Sequence, residues 1–126
     1  MRYLIIILLF CACQPREFVM TGGTIDQNII VLVTEDTAYA LSHIRKFYEV
    51  ESDVLDCRGV TFPSQEGLPV IMWLPDADDP SIVNHELLHV TNDVMKWAGL
   101  ELNEHTEEIY SYELQYLTKQ FYMKFK

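Results

Sequence analysis

From residue 28 onward the apolar residues fall alternately into runs of strand length and stripes of helical period. Asn28 to Thr34 is a run of Ile, Val and Leu that reads as a buried strand. Glu35-Asp36-Thr37 then offers a helix start with acids in the first turn. Ala38, Leu41, Ile44, Phe47 and Tyr48 follow at spacings of three and four, which predicts an amphipathic helix from Ala38 to Val50. Arg58 to Phe62 and Leu68 to Leu74 predict two strands joined by a turn over Pro63-Ser64-Gln65-Glu66-Gly67. Pro69 stands near the start of the second, a place that suits a strand start or a sheet edge. That strand is either an edge or an ordinary core strand.

Asp79 can cap the next helix, with Pro80 at its first position and Gly99 as its stop. Asp76, Asp78 and Asp79 lack the EF-hand pattern and read as a solvated turn and cap. Along the helix from Pro80 to Ala98, Val83, Leu87, Val90, Val94 and Ala98 make one apolar stripe. His85, His89, Asn92 and Asp93 lie on a different side. Asn103 or Thr106 caps a last helix that runs to about Lys124. Tyr110, Leu114, Leu117, Phe121 and Phe125 form one stripe on it, and Ile109, Tyr112, Tyr116 and Met123 a second. Apolar residues on two sides predict a helix wedged between layers. The pattern as a whole predicts an α+β domain over residues 28–126.

Upstream, Pro15 and the pair Gly22-Gly23 argue against regular structure, so residues 14–27 read as a linker. Residues 1–13 read as a signal peptide: Arg2 is a short positive region, and Tyr3 to Phe10 is an apolar run too short to span a membrane. Ala12-Cys13 resembles the cleavage site of a bacterial lipoprotein, which implies a lipid on Cys13 and attachment to the cell envelope. A plain secretory signal and a buried first strand are the other readings. Removing residues 1–12 leaves Cys13 and Cys57, so no disulfide framework within the domain is expected. Cys57 reads as a small buried apolar residue.

The 126 residues carry 19 acids against 9 Lys and Arg, a net charge of −10. Such a surface repels phosphate backbones and argues against nucleic acid as a partner.

Chemistry concentrates in His85-Glu86-Leu87-Leu88-His89. On a helix, residues four apart share a face, so the two imidazoles can meet one ion. Glu86 leaves the helix about 100° from His85. It is awkward as a ligand but placed to act as base on an activated water. The plain alternative is a surface helix with two histidines and an unrelated acid. Zinc needs a third protein ligand. Glu108 is nineteen residues past His89 and Glu107 eighteen, and spacing does not choose between them. His43 reads as a helix surface residue. His105, Tyr110 and Tyr112 are candidates to steady an oxyanion, and each also fits a structural role.

The sequence Val90-Thr91-Asn92 after His89 excludes the metzincin pattern. The chain instead resembles the gluzincins, which pair His-Glu-x-x-His with a glutamate on a following helix. Ile82 to Phe121 also resembles small phage and bacterial proteins in which such a helix precedes a Glu-x-Tyr-x-Tyr-like helix, here Glu108-Ile109-Tyr110-Ser111-Tyr112. This resemblance favours Glu108. It implies a small zincin-like domain, with a short sheet, a motif helix and a ligand helix. It also implies a zinc metallopeptidase acting on a peptide or protein substrate, with Zn²⁺ on His85, His89 and Glu108 and Glu86 as general base. In zincin-like folds an edge strand borders the cleft, and a peptide can add to it. A catalytically silent metal-binding or interaction module at the cell envelope is the alternative function.

Overall fold

The computed structural model describes residues 14–126; the expected signal peptide lies outside them. Strands β1 (Arg16–Thr21), β2 (Asn28–Val33), β3 (Val60–Phe62) and β4 (Val70–Leu74) form one sheet in the order β1-β2-β4-β3. β2 and β4 are parallel, and the two outer strands run antiparallel to their neighbours. Helices α1 (Thr37–Ile44), α2 (Pro80–Trp97) and α3 (Glu107–Phe125) complete the domain, with a short 3-10 turn over Ser52–Leu55. The architecture is α+β, as the hydrophobic pattern predicts.

The parallel pair explains why β2 and β4 read as unbroken apolar runs: both faces of the sheet are covered. Ile29, Val31, Val33, Val70, Met72 and Leu74 point to α2 and α3. Leu32, Ile71 and Trp73 point the other way, to Ala40, Leu41 and Ile44 of α1. Trp73 is fully buried, and its indole N–H donates to the Thr34 carbonyl at 3.1 Å.

Two expectations are corrected here, and one open alternative is decided. Residues 14–27 are not a plain linker, because β1 occupies Arg16–Thr21 and pairs along its length with β2. Phe18 and Met20 turn inward and Glu17 and Val19 outward, a period of two that the flanking Pro and Gly obscured. Gly22-Gly23 belongs to the loop that joins the two strands. Of the two readings of the strand ending at Leu74 the core strand holds: β4 is central, and β3 is the edge on its side of the sheet; Pro69 stands before β4, outside the ladder. Helix α1 stops at Ile44, short of Val50. Tyr48 leaves the helical path to stack on Phe62 and donates its hydroxyl to the Pro69 carbonyl at 2.6 Å. Arg45 meanwhile holds the Val50 carbonyl.

α2 has the boundaries its caps dictate. Asp79 accepts from the Ser81 backbone N–H and hydroxyl, and Arg58 reaches the same carboxylate at 2.7 Å. At the other end Gly99, with φ of 73°, lets Gly99 N–H bond to Lys96 and Leu100 N–H to Met95, a Schellman stop. The hydrogen bonds from Ser81, and after them Arg58, hold the Asp79 carboxyl below its ordinary 3.8. A depressed carboxyl stabilises the fold above its unfolded pKa and loses that effect as pH falls through the folded one. Wild type is therefore expected to melt above Asp79→Ala by a constant margin at neutral pH, with the gap closing below pH 3.8. A gap unchanged down to pH 2.5 would remove this role.

α3 returns beside α2 in the opposite direction. Its Tyr110 hydroxyl donates to Leu100 at the end of α2, and Phe125 lies beside Asp76 and Asp78, which lead into the start of α2. Tyr110, Leu117 and Phe121 are buried. Ile109, Tyr112, Tyr116 and Met123 are exposed, so the helix is covered on one side and not wedged between layers.

Candidate metal centre

His85 and His89 stand one turn apart on the open flank of α2, with 3.1 Å between their Nε2 atoms and rings at 81°. Two nitrogens bound at 2.0–2.1 Å to one tetrahedral ion are separated by about 3.4 Å. The pair is therefore set close to the spacing a shared ion requires. The same contact fits a hydrogen bond from one ring to the other.

Glu86 points to the neighbouring flank and is 5% exposed. The Thr61 hydroxyl, on edge strand β3, donates to its Oε2 at 2.7 Å. No buried side-chain oxygen among the described residues lacks a partner. Oε1, for which there is no protein donor, is thus open to the cleft. Gly59 makes room for this side chain: a Cβ there would sit 3.0 Å from Glu86 Cγ and 3.2 Å from Oε1. Two turns further along α2, Asp93 is buried and accepts from the Ser64 N–H at 3.1 Å and hydroxyl at 2.6 Å. Glu86–Thr61 and Asp93–Ser64 thus tie α2 to β3 and its following turn at two points. Burial, and then the charge of Asp93, raise the pKa of Tyr48 behind that turn.

Between these ties lies a cleft of about 480 Å³. Gly59, Val60, Thr61 and Pro63 form one wall; His85, Glu86, His89, Asn92, Asp93 and Lys96 form the other. The motif supplies three of these residues. Thr61, Gly59 and Ser64 carry no motif and follow only from β3 being the edge strand. Asn92 and Asp93 both line the cleft, as their place on the side of the histidines predicts, and Asp93 also holds the turn after β3 through Ser64.

Glu108 is not brought to the histidines. It is exposed, with the Tyr112 hydroxyl donating to its Oε1 at 3.2 Å. Thr24 fixes the level at which the helices pass: its hydroxyl lies 2.7 Å from Glu113 Oε2 and 3.6 Å from Met95 Sδ. His89 precedes Met95 by six residues, and Glu108 precedes Glu113 by five. On antiparallel helices these offsets add, so at 1.5 Å per residue Glu108 stands on the order of 15 Å from His89 along the axes. Sequence spacing measured the separation along the chain, and the eight residues of α2 beyond His89 carry the link away from the pair. Glu107 shares this first turn. His105 is exposed beside Glu104 at 3.4 Å. No group of three His, Cys, Asp or Glu that could hold a metal forms among the described residues.

The other candidates fall elsewhere. His43 meets Glu17 at 3.2 Å, between α1 and β1. Cys57 is exposed, not buried, with its thiol near the Gly59 carbonyl at 3.2 Å. Among the described residues no helix is long and apolar enough to cross a membrane. Comparison with protein-family models, curated proteins and solved structures gives no match to the chain.

Proposed function

We propose that the chain is a zinc-dependent metallopeptidase of small zincin type, with Zn²⁺ on His85 and His89 and Glu86 as general base. The observation that carries this reading is the 3.1 Å spacing of the two Nε2 atoms beside an acid in a cleft bordered by a sheet edge. A zinc ion held there would polarise a carbonyl and lower the pKa of water. The chain supplies the rest. Glu86 takes the proton of the attacking water on Oε1 and returns it to the leaving amine. Thr61 fixes the carboxylate plane through Oε2. β3, as an edge strand, leaves backbone groups unpaired on its outer side, where an extended peptide can add.

With Glu108 turned to Tyr112, the protein ligands in this arrangement are the two imidazoles, one fewer than the three of a catalytic zinc site. Zinc titration by calorimetry tests the assignment. His85→Ala and His89→Ala are expected to abolish binding, and Glu108→Ala to leave it unchanged. Loss of binding in Glu108→Ala would bring α3 back to the site. Unaltered binding in both histidine variants would end the metal proposal. The position of Glu108 also favours a second reading, a metal-binding or interaction module without turnover, for which zinc binds and no peptide is cleaved. Attachment to the cell envelope through Cys13 belongs to the same proposal, and an intact Met1 on the protein from a bacterial host would refute it.

A further inference from the structure

The second apolar stripe of α3 has no cover in the fold. Ile109, Tyr112, Tyr116 and Met123 are 41%, 63%, 45% and 67% exposed. Their spacings of three, four and seven are those of a two-helix seam, with Lys119 at the one polar position in the series. The charges beside the stripe are segregated by end. Glu104, Glu107 and Glu108 stand at the start of α3, and Lys119, Lys124 and Lys126 at its finish, all of them exposed.

We propose that this face binds a second copy of the chain, with the two α3 helices antiparallel about a two-fold axis near the middle of the helix. A parallel arrangement would set acids on acids and lysines on lysines. The antiparallel one places the acidic start of each helix over the basic finish of the other, and its isologous symmetry makes every such contact twice. Lys124 then lies opposite Glu108 of the other copy, and Ile109 opposite Met123. Because α3 covers the β1 side of the sheet and α2 the β3 side, this pairing leaves the histidine cleft open. One helix face falls short of the roughly 800 Å² per partner of a standard interface, so the association is weak and depends on concentration.

Sedimentation equilibrium of the full chain, from micromolar to millimolar, tests it. The mass is expected to rise from 14.7 kDa towards twice that value. Ile109→Lys and Met123→Lys, both at exposed positions, are expected to stay monomeric while melting as wild type does. Glu108→Lys and Lys124→Glu should each weaken the dimer roughly three- to tenfold, and the double exchange should restore it. A chain monomeric at every concentration overturns the proposal, as does association that these substitutions leave unchanged. A monomer that binds phosphatidylcholine vesicles, and loses them with Met123→Lys, would give the face to a membrane and overturn it too.

Discussion

Glu86→Gln is expected to bind zinc as wild type does and to lose peptide hydrolysis by about 10²- to 10⁴-fold, the usual contribution of a positioned general base. The amide keeps the size of the side chain, and its oxygen can still accept from Thr61, so the cleft should hold its shape. What it loses is the capacity to take a proton on the atom facing the cleft. The effect should fall on kcat with KM little changed, because a general base acts in the transition state and not in holding substrate. Zinc affinity provides the control: if it falls together with activity, Glu86 is a ligand and the division of roles within the motif is wrong. Cleavage of a broad peptide library at the wild-type rate by Glu86→Gln would remove the hydrolase mechanism. If wild type binds zinc and cleaves nothing in that library, the silent module is the function.

The parts of this fold legible in the sequence are those set by local chemistry. Asp79-Pro80 and Gly99 mark α2 because a cap, a missing N–H and a positive φ act within one turn. Val83, Leu87, Val90 and Val94 mark its buried face because the helical period leaves no other arrangement. His85 and His89 meet for the same reason. The parts that were not legible depend on distant partners. Arg16–Thr21 becomes a strand because β2 offers it an edge. Nothing in Val60-Thr61-Phe62 says that its threonine will meet a glutamate 25 residues on. The place of Glu108 depends on where the helices cross, which chain spacing does not encode. The second stripe of α3 illustrates a different limit: periodicity reports an apolar face, and not whether the same chain covers it.

The largest expected effect on stability comes from a residue with no part in the motif. Glu113, on α3, is 3% exposed and accepts from the Gly23 N–H at 2.8 Å, the Thr24 N–H at 2.8 Å and the Thr24 hydroxyl at 2.7 Å. It fastens the β1–β2 loop to the helix pair. The approach is tight, since a Cβ on Gly23 would meet Tyr116 at 2.9 Å. Glu113→Ala leaves two backbone donors without their acceptor in a part-buried place; the Thr24 hydroxyl can rotate away. Leaving a buried donor unpaired costs about 1–3 kcal/mol, so a loss on the order of 2–4 kcal/mol is expected for the pair. In urea the midpoint should fall with the slope unchanged, which marks a change in stability and not in the extent of unfolding. Glu113→Gln should lose roughly half as much, because one oxygen still accepts while the amide N–H₂ faces the donors. Hydrogen exchange localises the effect. The amides of Gly23 and Thr24 should lose protection before those of β4, since β1 and its loop would open without disturbing the centre of the sheet. A Glu113→Ala chain within 0.5 kcal/mol of wild type, with Gly23 and Thr24 still protected, would show that the ladder to β2 and the packing of Met20 and Phe18 hold β1 in place without it.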